Sequence, residues 1–347
     1  DGFPLSPACH YYLGYSGSVI FGRSEDGYRA LHDETGRVRD VRERIVVPHL
    51  ADTLERIADE GAALFYTGAL AERIVQHVRD GKGMLTAEDM ATYRAIERPS
   101  LIATVGDWQI ASNPPPAVGG SVLTAMLDAY SLTDHEEWTT AALADLVRIQ
   151  HACLDYRREH LDLAKDVGES AAKLLAAARA GQLVNRHTSA STVHTSAVDD
   201  AGFGCAVTAS SGYGSGEMPA GTGLWLNNCL GELELNRRGL DAGPPGVRLP
   251  SNMAPTVAEG PDGRVLAIGS PGADRITSAI LQTLSHLLHD GLSLNEAIAA
   301  PRLHDLLMQA KVGGHLDHRH HHRKRRCDPV IGHRDIANMS KTGLRRR

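Results

Sequence analysis

Ser270-Pro271-Gly272-Ala273 stands just before a helical pattern, and a turn that feeds a helix leaves backbone N–H groups unpaired at the positive end of the helix dipole. Donors placed this way suit the oxyanion that develops during acyl transfer. Hydroxyls gather elsewhere. Residues 192–199, Thr-Val-His-Thr-Ser-Ala-Val-Asp, alternate as a strand with Thr192 at the opening position, and Thr208-Ala209-Ser210 closes the next strand pattern. A threonine hydroxyl is a weak nucleophile at its own pKa and acts only beside a base. Taken alone, Thr192 reads as a β-favouring residue of a hairpin, and His194 as a structural histidine. Metal chemistry is poorly served. Cys9, Cys153, Cys205, Cys229 and Cys327 are odd in number and scattered, which gives neither a disulfide framework nor CxxC spacing. His318, His320, His321 and His322 lie in an Arg/Lys-rich stretch that reads as a solvated run rather than a specific site.

Helices and strands must position these groups. Leu50, Leu54, Ile57 and Ala58 recur at helical spacing with Gly61 as a stop, and Leu70, Ile74, Val75 and Val78 form a second stripe ended by Asp80-Gly81. Thr86 and Asp89 form a capping box, and Ser293 with Glu296 forms another. Val122, Leu123, Met126 and Leu127 share a helix face after Pro114-Pro115-Pro116, and a long helical pattern covers 140–160. Residues 192–199 and 203–208 form a hairpin around the turn at 200–202, with further Gly-rich strands expected up to Leu226. Residues 264–269 make a buried strand that runs through Ser270-Pro271-Gly272 into a helix over 274–288. Residues 1–45, rich in Gly, Arg and Asp, read as irregular. Helices first, strands later and helices again give an α+β domain.

The 347 residues are 42% hydrophobic and 22% charged, an ordinary globular composition. No apolar run approaches the ~18 residues of a membrane span. The net charge of −6 is uneven: residues 311–347 carry +8, leaving −14 on the first 310. An acidic body argues against nucleic acid as a partner, and the aromatic-free basic tail cannot offset its own ordering entropy. The sequence opens on Asp1 with no basic-then-apolar leader, which leaves the compartment open.

Several blocks together resemble the γ-glutamyltransferase (glutathione hydrolase) family. They are residues 65–75 (Phe-Tyr-Thr-Gly-Ala-Leu-Ala-Glu-Arg-Ile-Val) with 83–93 (Gly-Met-Leu-Thr-Ala-Glu-Asp-Met-Ala-Thr-Tyr), Asn113-Pro114-Pro115-Pro116-Ala117-Val118-Gly119-Gly120, the 192–199 strand, Gly269-Ser270-Pro271-Gly272, and Ala300-Pro301-Arg302-Leu303-His304. Their order and spacing match across residues 45–310. The resemblance implies an N-terminal-nucleophile hydrolase, a four-layer αββα sandwich, here incomplete. A precursor would cut itself between Ser191 and Thr192 into a large-subunit region (1–191) and a small-subunit region (192–310), followed by a disordered basic tail (311–347).

The same resemblance makes Thr192 the nucleophile. Its freed α-amine, with a pKa near ~8, can take the hydroxyl proton, so one residue supplies both nucleophile and base. Ser210 falls at a hydroxyl that hydrogen-bonds the nucleophile, and the consecutive N–H groups of Gly272 and Ala273 at the oxyanion hole. Ser251-Asn252 occupies the place of a Ser pair that holds the substrate carboxylate, while Asn228 and Glu232 fall near the α-amino grip. The substrate implied is a γ-glutamyl amide such as glutathione, with water or an amine as acceptor and no metal or organic cofactor. The sequence departs from the family where Asn252 replaces a Ser, where the loop 210–214 lacks an Asn, and where the upstream carboxylate-binding Arg has no counterpart. An N-acyl amidase (acylase) of the same fold and a non-catalytic truncated remnant are the alternatives.

Overall fold

A computed structural model describes residues 2–133, 138–182, 193–231, 236, 238, 239 and 243–304. The chain begins with β1 (Phe3–Pro4), α1 (Pro7–Ser16), α2 (Glu25–Leu31) and β2 (Arg44–Ile45), then α3 (Leu50–Glu60), α4 (Ala63–Tyr66), α5 (Ala69–Asp80) and α6 (Ala87–Thr92). There follow β3 (Leu101–Val105), β4 (Trp108–Ser112), α7 (Val118–Tyr130), α8 (Thr140–Tyr156) and α9 (Val167–Arg179). The last elements are the hairpin β5 (Val193–Val198) and β6 (Gly204–Ala209), then β7 (Thr256–Glu259), β8 (Val265–Ile268), α10 (Arg275–Leu288) and α11 (Leu294–Ala299).

The central sheet is antiparallel in the order β3-β4-β7-β8, so it interleaves strands from before and after position 192. Ala103, Ile110 and Ala258 point to one face and join a core with Val122, Leu123, Met126, Leu146, Ile276, Ile280 and Leu284. The larger of these side chains, the Val, Leu, Ile and Met, contribute roughly 1.5–3 kcal/mol each when fully buried. Helix α7 is buried along nearly its whole length between the sheet and α8, α9 and α10. On the sheet's other face lies the β5–β6 hairpin. A Cβ added at Gly204 would come 2.7 Å from Val265 and 3.0 Å from Val257, so glycine is what lets the second β layer approach. The order is helices, sheet, hairpin: α, β and β layers of the αββα class. The hairpin's outer face, with Val193, Cys205 and Val207, is exposed.

Helices α3, α5, α6, α7, α10 and α11 lie where periodicity and caps predict them, and both capping boxes form. Other segments differ from expectation. Residues 1–45 contain α1, a π-helical segment (Gly17–Phe21) and α2. Leu5, Leu13, Ala30, Leu31 and Ile45 make a small core there, covered by Phe21 and Trp225. The 140–160 pattern is α-helical to Tyr156 and becomes π-helical over Arg157–Leu161. Residues 212–226 are not strands. Gly212, Gly214, Gly216, Gly221 and Gly223 all have φ between +59° and +80°, which no ladder accommodates. Instead Thr53 donates to the Thr222 carbonyl (2.7 Å), Arg73 to that of Gly221 (3.0 Å), and His77 meets Glu217 (3.2 Å). Leu224 and Leu226 pack on Leu64, Leu70 and Ile74. The pairs β3–β4 and β7 were not anticipated from the sequence. The basic tail, 311–347, lies outside the described residues.

Candidate active site

Strand β8 leads through Gly269-Ser270-Pro271 to a turn with Gly272 at φ +115° and Ala273 at φ +52°. Ala273 is a buried alanine in the left-handed region, a conformation that costs an L-residue roughly 1–2 kcal/mol. The Gly272 carbonyl accepts from Arg275 N and that of Ala273 from Ile276 N, both at 3.0 Å, which starts α10. Among the described residues, neither Gly272 nor Ala273 donates its own N–H. Two consecutive donors thus stand at the mouth of a helix without a partner, the arrangement an oxyanion needs.

His194 connects this turn to the hairpin. Its Nδ1 lies 2.8 Å from the Thr208 hydroxyl and its Nε2 2.8 Å from that of Ser196. A Cβ on Gly269 would come within 2.2 Å of the ring, so the imidazole rests on that glycine. Burial pulls the His194 pKa below its usual value, which favours the neutral ring. The histidine is a structural link between the strand that follows Thr192 and the 269–273 turn. Ser191 and Thr192 themselves lie outside the described residues, as does Glu232.

Ser251 and Asn252 are held by α7. The Ser251 carbonyl accepts from Val118 N (2.8 Å) and Gly119 N (3.0 Å), and Asn113 Nδ2 donates to the Met253 carbonyl (3.0 Å). A Cβ at Gly119 would sit 2.1 Å from the Asn252 carbonyl oxygen, and one at Gly120 1.9 Å from that of Asn113. The Asn113–Gly120 block is therefore a docking device for α7. The Asn252 side chain is buried, and its Nδ2 donates to Asp274 Oδ1 at 2.9 Å, which places it against the 272–273 turn.

Ser210 and Asn228 form a second group. Asn228 N donates to the Ser211 carbonyl (2.8 Å), Cys229 Sγ to that of Ser210 (3.4 Å), and the Ser210 hydroxyl accepts from Gly212 N (3.1 Å). The structure thus brings Ser210 to Asn228, and Asn252 to Asp274, the residue that follows Gly272 and Ala273. The Ala300–His304 block is structural: Gln282 bonds both the N–H and carbonyl of Leu303, and His304 Nδ1 meets Ser278 at 2.7 Å.

Two features escaped the sequence reading. A cavity of about 380 Å³ opens beside Pro250, lined by Pro115, Pro116, Lys165, Arg238 and Arg248 among others. Arg248 stacks over Tyr93, while Arg238 has a buried Nε–H with no partner among the described residues. Among the described residues the lining is cationic, with Lys165, Arg238 and Arg248 against one carboxylate, Asp166, which also caps α9 through the Glu169 N–H. The other feature is Arg157, buried against Asp162 and Asp274. Leu146, Gln150 and Cys153 form a buried helical stripe, and Arg157 continues it at i+4 from Cys153. A charge on an apolar stripe signals a buried partner. Among the described residues, no group of three or more His, Cys, Asp and Glu could hold a metal ion, and no helix is long and apolar enough to cross a membrane.

Comparison with known proteins supplies the family. The cephalosporin acylase from Bacillus halodurans superposes with a TM-score of 0.67 over 87% of this chain and 59% of its own, at 22% identity, and so shares the fold. The glutathione hydrolase proenzyme of Escherichia coli (strain K12) is 29% identical over 342 residues, and the glutathione hydrolase 5 proenzyme of Mus musculus 28% over 295. These alignments cover 88% and 74% of this chain but only 58% and 51% of the relatives, so the chain spans little more than half their length. Residues 1–321 match the gamma-glutamyltranspeptidase family, beyond the 45–310 stretch where the motifs lie, and the chain belongs to that family.

Proposed function

We propose that this chain carries the acyl-transfer site of a γ-glutamyl amide hydrolase and transferase acting on glutathione-like donors. The carrying observation is the Gly272–Ala273 turn, whose two N–H groups donate to nothing else among the described residues, tied through Gly269 and His194 to the strand that begins after Thr192. Scission between Ser191 and Thr192 frees the α-amine that takes the Thr192 hydroxyl proton as the oxygen attacks the donor's γ-carbonyl. Gly272 and Ala273 donate to the tetrahedral oxyanion. Collapse expels the amine, which leaves with the proton, and water or a second amine resolves the ester on Thr192. Ser210 steadies the nucleophile, with Asn228 and Glu232 placed for the donor's amino end and Ser251 for its carboxylate. The neighbouring cationic cavity suits a donor that is itself anionic. Large and small subunits from one precursor follow from the same reading, and the proenzyme names of the relatives support it.

One observation favours a second reading, an acylase for other N-acyl amides. Asn252 stands where the family has a carboxylate-binding Ser, but its amide is given to Asp274. A site with fewer groups committed to the glutamyl carboxylate discriminates less against other acyl groups. Mature protein should be assayed with a γ-glutamyl anilide and a panel of neutral N-acyl anilides, with Thr192→Ala as the control. Release from the γ-glutamyl donor that Thr192→Ala abolishes supports the first reading. Release from the neutral donors alone replaces it with the second, and no Thr192-dependent release from any donor refutes both.

A further inference from the structure

Arg157 makes no contact with the proposed site, yet it holds two of its segments. The guanidinium is 3% exposed and lies in the π-helical segment that follows α8. Its Nε donates to Asp162 Oδ1 at 2.9 Å and its Nη2 reaches Asp162 Oδ2 at 3.4 Å, while Nη1 donates to Asp274 Oδ1. Asp274 is 2% exposed, and the same Oδ1 receives the Asn252 amide. The other oxygen, Oδ2, is buried with no hydrogen-bond partner among the described residues. Burial pulls the Arg157 pKa down, but Asp162 and Asp274 outweigh it and hold the pKa above the ordinary arginine value. The guanidinium is therefore permanently charged, and it is the cation bonded to the Asp274 carboxylate.

Position makes this matter. Asp274 directly follows Ala273, the alanine at φ +52°, and opens α10. A left-handed alanine persists only where its surroundings leave it no alternative. Here two donors, Arg157 and Asn252, hold the Asp274 side chain at one oxygen, which restrains the Ala273 backbone beside it.

We infer that Arg157 is a positioning residue for acyl transfer: through Asp274 it holds the Gly272–Ala273 N–H pair in its strained geometry and keeps Asn252 against it. The inference rests on the reading of those N–H groups as oxyanion donors. Positioning of this kind acts on the transition state and leaves ground-state binding nearly unchanged.

Arg157→Lys keeps the cation but loses the fork that spans both carboxylates. Asp274→Ala cuts the tether and leaves Arg157 balanced by Asp162, so the fold survives if the lysine variant does not. Each should lower kcat on the active donor by about tenfold or more, with KM within about twofold. The double variant should be no slower than the worse single one, because both cut one tether. Hydrogen exchange at the Arg275 and Ile276 amides, which bond the Gly272 and Ala273 carbonyls, should speed up about tenfold, with the β4 and β7 amides unchanged. An unchanged kcat, losses that multiply in the double variant, or exchange raised evenly across the sheet would overturn the inference. If wild-type protein turns over no donor, the proposed function fails, and the exchange arm decides the tether by itself.

Discussion

Ser251, Asn252, Gly272 and Ala273 stand on segments fastened to the helix layer, whereas Ser210 and Asn228 stand on a glycine-rich run. The first group is fixed by main-chain bonds to α7, by a buried Arg–carboxylate cluster, and by glycine contacts with no spare room. The second is fixed by short turns and by a loop of left-handed glycines laid over α3 and α5. On the proposed reading, the Gly272–Ala273 N–H pair meets the developing charge and gains from the rigid support. The donor-binding groups of that reading fall on both sides, Ser251 on the first and Asn228 on the second, and the loop has tight positions of its own, a Cβ at Gly216 meeting the Ile20 carbonyl oxygen at 2.0 Å. Departures from the family's pattern fall on both sides, in the 210–214 loop and at Asn252.

Several experiments break or sharpen that contrast. The largest effect is expected at Gly120→Ala and Gly119→Ala, because the new methyl meets backbone oxygen that cannot move aside. Each should lose about 3 kcal/mol or more in urea unfolding. Gly269→Ala should cost less, roughly 2 kcal/mol, since the obstacle is the movable ring of His194. A cycle with His194→Ala should show about 1 kcal/mol of coupling; strict additivity would separate hairpin and turn. On the loop side, Gly221→Ala places a left-handed alanine 2.9 Å from the movable end of Arg73, an expected loss of about 1 kcal/mol. A loss there as large as at Gly120 would erase the contrast.

The smallest effect concerns pH. The folded pKa of His194 lies below its unfolded value of about 6.5, because burial disfavours the cation. The neutral ring's contribution is present above pH ~6.5 and is lost as pH falls through the folded pKa. Wild-type stability should therefore fall more steeply below pH ~6.5 than that of His194→Asn. Parallel pH curves would contradict the buried placement of the ring.

Legibility in the sequence follows the same division. Helix α7 announced itself through an apolar stripe after three prolines, and α6 and α11 through side chains that bond their own N-termini. The 270–273 turn was readable because Ser-Pro-Gly must break one element before another starts. Helix α1 was not, because Tyr11 and Tyr15 are exposed while Leu13 is buried, which gives no clean face. Strands β3 and β4 owe their burial to α7 and β7, partners far along the chain. Residues 212–226 were misread because glycine permits a strand without requiring one. Arg157 was visible only as a charge on an apolar stripe, and its partners Asp162 and Asp274 are set by the fold.

The central claim is that Thr192 becomes reactive by becoming a chain terminus. N-terminal sequencing and intact mass of the full chain after incubation under native conditions test it most directly. The account predicts two fragments, one beginning with Thr192, and a single uncut chain for Thr192→Ala. A wild-type chain that never yields an N-terminal threonine, or a Thr192→Ala chain that is cut at the same bond, would contradict it.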